Sequence, residues 1–520
     1  MIPRTRGGML WRFFAAAILI IGATAATTAV AGLLQFKQLA NDLSLQPSLK
    51  NADVTLPPPG APQTILVVGS DHRAGEPYSA ANTDTMMLVR LNPASSTINV
   101  LSIPRDLEVT IPGFGTAKIN AAYSDGGPNL MIKTIQQNVF PGLKINHILD
   151  VNFQGFSDLV DAIGCVYSAV DERYYNNTAL TDYSSINIQP GYQKLCGDNQ
   201  ADSGALAFVR FRHTDSDIVR NARQQDFIRW AKDQYSTTQI LDNRDKLLSI
   251  FGDHVQTDHD LHTVDGLINL FNLVLNMSGH TIKSIHFPAI LQNCAAAAPG
   301  QPQPPCYVNA NQDAEAQVYR QFMHVSSQAD AQNATSGAAK KANKPAKPKH
   351  PAAPGVPAGL TDASSDGRTQ AAALRRVPFP VYYPRYLVAG SAYCSSLTGN
   401  CNDGQEPAVE YAHSYPRSYV IHGHGASRYP AYYLTVEINP LLGEYYGVQG
   451  TTWQKPPLLD NPSATKTVDG KTLELFAAGG KLMTVAWKTP QGVYWIENTL
   501  AGTIPNNQMV AIAASLTRAG

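Results

Sequence analysis

The chain has 520 residues, of which 44% are hydrophobic, and its 40 basic side chains are balanced by 40 acidic ones. That length predicts more than one folded domain with a sizeable apolar core. A net charge of zero argues against a general nucleic-acid binder, which would carry a basic excess, so no nucleic-acid partner is expected.

The N-terminal end has the pattern of a membrane anchor. Residues 1–12 contain three arginines and no acid, and residues 13–34 carry no charge. An apolar stretch of this length can span a hydrocarbon core of about 30 Å, and the basic flank predicts a single pass with a cytoplasmic N-terminus. A cleaved signal peptide is the alternative. With either one, the rest of the chain, beginning with a tether over 35–63, is expected outside the cytoplasm.

The six cysteines fall into three pairs that are close in sequence. In an oxidising compartment this spacing predicts three local disulfides, and six unpaired buried thiols are the alternative. No Cys or His spacing in the chain predicts a zinc site. The predicted pairs are Cys165 with Cys196, Cys294 with Cys306, and Cys394 with Cys401.

Residues 64–324 alternate between strand and helix patterns. Apolar runs at 64–71 and 85–92 predict buried strands, whereas 129–140, 155–164 and 267–277 have helical periodicity. Strands that alternate with helices indicate an α/β sandwich.

The composition changes sharply after this domain. Residues 325–376 are rich in Ala, Pro, Lys and Ser, which predicts a disordered linker. Residues 377–520 are β-rich, with alternating polar and apolar positions that predict an antiparallel sheet with one face in water. A terminal helix over 509–516 is expected to pack on the sheet, so this is predicted to be a smaller α+β domain.

Residues 205–225 concentrate positive charge in an otherwise balanced chain. Asp217 is a candidate N-cap for a helix on which Arg220 and Gln224 share one face near the N-terminus, where an anion is favoured. Arg210 and Arg212, two positions apart, are predicted to project to one side of an extended segment. Arg223 lies one position off the Arg220 face. A solvated basic face is the alternative for the whole stretch.

Two acids and two further cations complete the candidate site. Asp71 ends the first strand and Asp84 lies just before the next, an arrangement that suits a hard cation such as Mg²⁺. Arg105 follows Pro104 at a rigid corner and can bind a phosphate bidentately. Lys118 lies in a glycine-rich loop. Each residue alone also fits an ordinary role, as a turn, a cap, a surface ion pair or a polar loop.

Together these residues predict a site for phosphoryl transfer, because catalysis there depends mainly on positioning and on stabilising charge. The chain has no GxSxG motif and its cysteines are predicted to be paired. We therefore expect direct attack by an acceptor hydroxyl, without a covalent enzyme intermediate.

Seven motifs occur in the order found in one known family. Over about residues 64–235 the chain resembles the LytR-CpsA-Psr family of cell-wall glycopolymer ligases. The motifs are GSD (69–71), TDTMML (83–88), SIPRDL (102–107), KINAAY (118–123), VNFQGFSDLVDAIG (151–164), FVRFR (208–212) and DIVRNARQQ (217–225).

The resemblance implies an α/β/α sandwich with a mixed central sheet, anchored in the membrane and acting outside the cell. It implies transfer of a glycopolymer from a polyprenyl-pyrophosphate carrier to the 6-hydroxyl of a peptidoglycan muramic acid, forming a phosphodiester. Two alternatives stay open, a hydrolase of polyprenyl pyrophosphates and a non-catalytic envelope regulator.

The resemblance also assigns roles to the candidate residues. Asp71 and Asp84 correspond to the acids linked to Mg²⁺, and either could act as the general base. Arg105 and Arg220, with those two acids, form the expected catalytic set. The expected pyrophosphate-binding residues are Arg105, Arg210, Arg212, Arg220 and Gln224, with Lys118 and Arg223 matching motif positions of less defined role.

Overall fold

The structure is a computed structural model of the chain. It describes residues 49, 52–58, 60–71, 83–95, 97–176, 185–197, 204–211, 217–235, 237–277, 279–292, 307–323, 355–374, 377–395, 401, 414–423, 425–439 and 443–519. The predicted membrane span at 13–34 and the predicted Cys294–Cys306 pair lie outside these residues. Within these ranges, no helix has both the length and the apolar character needed to cross a bilayer.

The N-terminal domain alternates strands and helices along the chain. Its strands are β1 (Gln63–Ser70), β2 (Thr83–Leu91), β3 (Thr97–Ser102), β4 (Glu108–Ile111), β5 (Gly115–Lys118), β6 (His147–Asn152), β7 (Val166–Val170), β8 (Tyr174–Asn176), β9 (Ile186–Ile188), β10 (Gly191–Leu195), β11 (Val255–Thr257), β12 (Thr281–Ile285), β13 (Ala289–Gln292) and β14 (Tyr307–Ala310). Its helices are α1 (Ala121–Thr134), α2 (Phe153–Ile163), α3 (Ala205–Arg210), α4 (Asp217–Gln234), α5 (Thr237–Asp242), α6 (Arg244–His254), α7 (Val264–Asn276) and α8 (Gln312–Met323).

Six of these strands form a mixed central sheet in the order β11-β6-β1-β2-β3-β12. The β1–β6 and β3–β12 pairs are parallel, and the others are antiparallel. Leu66 and Val68 of β1 face one apolar core with α1 and α8, whereas Ile65 packs with Leu273 and Met277 on the other side. Helices therefore cover both faces, and the expected α/β/α sandwich with a mixed sheet is confirmed.

One local prediction was confirmed and another was wrong. The helix expected over 129–140 is present: after a kink at Gly126 and Gly127, where Gly127 takes a φ of 65°, helical backbone continues to Thr134, and a π-helical turn extends it to Val139. The segment around Arg210 is not extended. Arg210 is the last residue of α3, and Phe211 ends that helix with extended backbone angles.

The C-terminal domain begins well before residue 377. Residues 355–374 contain β15 (Leu360–Asp362) and α9 (Ser364–Ala373), so the prediction that the linker extends to 376 was wrong for them. Leu360, Ala371 and Leu374 are buried in the core of the C-terminal domain. In this segment the large apolar side chains are spaced far apart among small and polar residues. For this reason the composition did not indicate a helix.

The remaining elements of this domain are mostly strands. They are β16 (Tyr382–Pro384), β17 (Tyr386–Val388), β18 (Ala392–Tyr393), β19 (Arg417–His422), β20 (Arg428–Asn439), β21 (Glu444–Thr451), β22 (Ala464–Val468), β23 (Lys471–Ala478), β24 (Lys481–Thr489), β25 (Gly492–Glu497), α10 (Asn506–Ala514) and β26 (Leu516–Arg518). Strands β18 to β25 form one eight-stranded sheet, and α10 packs on it as predicted.

The second face of this sheet is buried around its central strand β25, so the prediction of a face in water was wrong there, although β22 at the edge of the sheet is largely exposed. All six residues of β25 are buried. Tyr494 and Ile496 pack towards α9 and α10, whereas Val493 and Trp495 pack against Tyr167 and Tyr192 of the N-terminal domain. The centre of the sheet is therefore enclosed between its own helices and the β7–β10 region.

Hydrogen bonds cross the same contact between the domains. The Tyr167 hydroxyl donates to the His422 carbonyl at 2.8 Å, and the Leu458 N–H donates to the Tyr192 hydroxyl at 3.1 Å. A disulfide joins Cys165 to Cys196 at the two ends of the β7–β10 segment. A second disulfide joins Cys394 to Cys401, as predicted.

Candidate functional site

The two candidate acids lie at the same edge of the central sheet. Because β1 and β2 are antiparallel, the end of one strand meets the start of the other, and Ser70 pairs with Thr83 beside a shift in register. Asp71 follows Ser70 and is exposed at this edge. Asp84 lies inside β2 rather than before it, and its side chain is largely buried.

Two arginines from distant parts of the chain contact Asp84. Arg105, at the corner after β3, donates from Nη1 to one carboxylate oxygen. Arg210, at the end of α3, donates to the other oxygen from Nη2 at 3.0 Å and from Nε at 3.3 Å. The Arg210 guanidinium also lies over the Phe153 ring, 3.9 Å from its centroid. The acid and the ring together fix the position of this cation.

The charge of Asp84 depends on these arginines. Burial alone raises the pKa of the Asp84 carboxyl, but the positive charges of Arg105, Arg210 and Arg220 together lower it below the ordinary value. The side chain is therefore an anion at neutral pH. It holds a group of cations in place at the edge of the sheet, and such a group suits a doubly charged phosphate ligand.

Asp217 connects the two parts of the site. It begins α4, as predicted, and its carboxylate accepts a hydrogen bond from the Arg105 N–H at 2.9 Å. The same carboxylate forms an ion pair with Arg220, whose residue is only 1% exposed. We predicted Asp217 only as an N-cap. The spacing of Asp217 and Arg220, three positions apart on one helix, was the available signal for this pair.

Neighbouring glutamines tie α4 to the central sheet. The Gln224 amide donates to the Thr85 hydroxyl at 2.9 Å and to the Val209 carbonyl at 3.1 Å. The Gln225 amide donates to the Ser102 hydroxyl at 3.0 Å. Gln224 thus lies beside the strand that carries Asp84, as its predicted place in the site requires.

Two predicted binding residues lie elsewhere. The Arg223 side chain is fully buried, stacks on the Tyr174 ring at 4.4 Å, and donates to the carbonyls of Phe208 and Phe211. It supports the segment that carries Arg210, and its contact with pyrophosphate stays a prediction. Lys118 bonds to Asp106 at 2.7 Å on the β4–β5 hairpin, outside the Asp84 cluster. Arg212 lies outside the described residues.

A buried network under the edge of the sheet was not predicted. Asp150, on β6, accepts a hydrogen bond from the Ser70 hydroxyl at 2.6 Å and another from the Tyr123 hydroxyl. These bonds connect the end of β1 to its parallel neighbour and to α1, so they fix the residue that precedes Asp71. The sequence signal was indirect, since Tyr123 closes the KINAAY motif.

Asp71 and Asp84 are the carboxylates that could hold a hard cation at this edge. An ionised carboxylate offers about four lone-pair sites, and three N–H donors use part of that capacity on Asp84. The donor set, two acids with little else, fits a cation that also takes oxygens from a phosphate ligand.

The fold and the site define an α/β/α domain with a cluster of arginines around an ionised carboxylate at the edge of its sheet. The model of the LytR_cpsA_psr family matches residues 35–313, more than half of the chain. The chain therefore belongs to the LytR-CpsA-Psr family, as the motifs predicted.

Named relatives and a solved structure each match part of the chain. Polyisoprenyl-teichoic acid–peptidoglycan teichoic acid transferase TagU of Oceanobacillus iheyensis is 32% identical over 239 residues, which cover 43% of this chain and 69% of that protein. Probable cell wall biosynthesis protein LcpB of Corynebacterium glutamicum is 34% identical over 175 residues, 31% of this chain and 39% of that protein. A solved structure of TagT bound to LIIa-WTA is 23% identical, with a TM-score of 0.39, and covers 53% of this chain and 98% of that one.

Proposed function

We propose that this protein is a phosphotransferase that moves a glycopolymer from a polyprenyl-pyrophosphate carrier to the muramic acid 6-hydroxyl of peptidoglycan. The observation that carries the proposal is the ionised Asp84 carboxylate, which holds Arg105 and Arg210 at the edge of the sheet. The name of the Oceanobacillus relative, a teichoic acid transferase acting on peptidoglycan, supports the same reaction class.

The first role of the arginines is to bind the pyrophosphate of the donor. A pyrophosphate carries about two negative charges, and guanidinium groups bind such oxygens bidentately. Asp84 keeps the two exposed-side arginines oriented before the ligand arrives, so little reorganisation is needed in the reaction. Arg220 adds charge from the buried side, where Asp217 fixes it.

In the chemical step, the acceptor hydroxyl attacks the phosphorus next to the sugar. A new P–O bond forms to the muramic acid, and the P–O bond to the polyprenyl phosphate breaks. The leaving phosphate takes the electron pair, and the arginines stabilise its charge. Asp84 is a poor base because its neighbours favour its ionised form, so we assign proton uptake from the hydroxyl to Asp71.

We also propose that Asp71 and Asp84 hold Mg²⁺, which would supply further positive charge against the pyrophosphate. In the same proposal, residues 13–34 anchor the chain in the membrane and place both domains outside the cytoplasm. Protease accessibility of the C-terminal domain in intact cells tests the topology, and complete protection of that domain would contradict it.

The reaction is tested by incubating the full-length protein with lipid-linked glycopolymer, peptidoglycan and Mg²⁺. Formation of the sugar phosphodiester on muramic acid is expected, with loss of product when EDTA removes the metal. Release of free phosphorylated glycan would indicate a hydrolase, and binding without turnover would indicate a regulator.

A matched pair of variants connects the reaction to the site. Arg105→Gln removes one contact of Asp84, whereas Arg428→Gln removes an exposed arginine at the start of β20. We expect loss of transfer in the first and full transfer in the second. Equal activity in the two variants would remove the basis for placing the reaction at Asp84.

A further inference from the structure

The C-terminal domain contains a large cleft whose described charged lining residues are all arginines. Its volume is about 950 Å³, and it lies between α9, residues 377–381, β16 and β26. Among the described residues, three arginines line it: Arg368 on α9, Arg385 between β16 and β17, and Arg518 on β26. No acidic side chain is among the lining residues that the structure describes.

The three arginines are available to a ligand. All are exposed, and none has an ion-pair partner within the described part of the chain. Burial lowers the pKa of the neighbouring Lys471; the negative charge of Asp469 opposes this effect and the positive charge of Arg385 adds to it. Asp362 also lies near Arg385, but its carboxylate accepts a hydrogen bond from the Ser364 N–H at 2.8 Å. The three arginines outnumber this one nearby acid, so the described lining of the cleft carries a net positive charge.

The size and lining of the cleft indicate the kind of anion. Its volume is near the upper end of the roughly 300–1,000 Å³ found for ligand pockets, which is much larger than a single phosphate needs. Val377, Phe379 and Val381 supply an apolar wall beside the arginines. Spaced cations with apolar surface between them suit a chain in which charged groups alternate with sugar or polyol units.

Two other occupants fit less well. A planar bilayer surface cannot enter a concavity, so the arginines are poorly placed for lipid headgroups. The linker over 325–354 carries five lysines and one aspartate, and its charge would be repelled by the cleft.

The cleft is also separate from the Asp84 site. Ala371, Leu374, Phe379 and Tyr383 line it and belong to the core on the helix side of the C-terminal sheet, whereas the N-terminal domain covers the opposite face. A ligand in the cleft therefore occupies a second site.

We propose that this cleft is a binding site for a phosphodiester-linked glycan or polyol chain, recognised by Arg368, Arg385 and Arg518. The choice of ligand class rests on the proposed function, because the reaction would place such polymers beside this domain. Binding in the cleft does not require transfer, so the two proposals can fail separately.

The test measures binding of poly(glycerol phosphate) to the full-length protein in phosphatidylcholine nanodiscs by isothermal titration calorimetry. We expect binding that weakens with added salt. The variant Arg368→Gln/Arg385→Gln/Arg518→Gln should bind at least about tenfold more weakly, since three charge-assisted contacts are lost. A control with the same change in charge, Arg428→Gln/Arg320→Gln/Lys466→Gln, replaces exposed residues away from the cleft and should bind like the wild type.

A further variant and a competing lipid show where the polymer binds. Arg105→Gln should leave this binding intact even when transfer is lost, and loss of binding in that variant would place the polymer at the Asp84 site instead. Equal weakening in the triple variant and its control would show non-specific charge attraction and overturn the proposal. So would competition by phosphatidylglycerol nanodiscs, which would assign the cleft to lipid. Thermal melting of each variant confirms that the exposed substitutions leave the fold intact.

Discussion

The backbone N–H of Arg105 donates a hydrogen bond to the carboxylate of Asp217 across 2.9 Å, although 112 residues separate the two in the chain. The same carboxylate forms an ion pair with the buried Arg220. One side chain therefore sets the position of the corner after β3 and of the first turn of α4. Arg105 and Arg220, the two site cations outside α3, therefore both depend on the Asp217 carboxylate.

Replacing Asp217 should disturb both cations together. In Asp217→Asn the Arg105 N–H keeps an acceptor, but the buried charge of Arg220 loses its partner. We expect the free energy of unfolding to fall by roughly 2–4 kcal/mol and transfer to fall by about tenfold or more. Asp217→Ala should be worse, because it removes the acceptor as well. Denaturant titration and the transfer assay check both variants, and identical behaviour of Asn and Ala would argue against the Arg105 bond.

Loss of Arg223 should lower stability, whereas loss of Arg105 should lower turnover. Arg223→Met leaves the carbonyls of Phe208 and Phe211 without a buried donor, so stability should fall by roughly 2–4 kcal/mol. Arg105→Met removes a half-buried cation of the site, so turnover should fall by about a hundredfold with little change in melting temperature. A stable Arg223→Met protein with a selective loss of donor binding would restore Arg223 as a ligand residue.

Glu497 should make stability depend on pH. Burial is the main cause that raises its pKa from 4.5 to about 7, while Trp495 and Tyr433 donate hydrogen bonds to its two oxygens. Between these two pKa values the folded chain keeps a proton that the unfolded chain has lost. Stability therefore falls as pH rises through this window, and the loss is complete above about pH 7.

The variant Glu497→Gln has no carboxyl group to ionise at this position, so it should not show this loss of stability as pH rises. Its free energy of unfolding relative to wild type should rise between pH 5 and pH 8 by on the order of 2–3 kcal/mol. Burial also raises the pKa of Asp171 and Asp226 nearby, so part of the decline with pH should persist in the variant. Parallel stability curves for the two proteins over this range would falsify the assignment to Glu497.

The two disulfides should contribute unequally. Cys165 and Cys196 are separated by 31 positions, whereas Cys394 and Cys401 are separated by 7. Loop-closure entropy then predicts losses of about 3–4 kcal/mol for the Cys165→Ser/Cys196→Ser protein and about 2 kcal/mol for Cys394→Ser/Cys401→Ser. Denaturant midpoints of both double variants check the order, and a reversal would show that strain or residual structure dominates.

Local patterns predicted much of the N-terminal fold. Apolar runs located β1 and β2, and Asp217 correctly began α4, because these features depend on neighbours along the chain. The motifs then identified which cations to consider. Helical spacing already placed Arg223 off the Arg220 face, and in the structure Arg220 turns towards Asp217 whereas Arg223 enters the packing around Tyr174.

The error over the C-terminal sheet has a different cause. Gln449, Thr451 and Glu497 are polar and therefore indicated a face in water, yet all three are buried. The Gln449 amide oxygen accepts from the Tyr419 hydroxyl at 2.7 Å, and Glu497 accepts from Tyr433 and Trp495. Polar side chains can cover an interface between domains when each has a partner, and sequence periodicity does not distinguish this from exposure.

Strand β25 is covered on one face by the helices of its own domain and on the other by the N-terminal domain. This affects how much of the chain should unfold as one cooperative unit. The family match stops at residue 313, but Tyr167 and Tyr192 of the matched region complete their packing only against Trp453 and Trp495. A protein truncated after Met323 would expose these rings to water and leave the Tyr167 hydroxyl without its carbonyl acceptor. Calorimetry of the whole chain should accordingly show one transition for both domains, and the evolutionary module and the thermodynamic module of this protein should differ in extent.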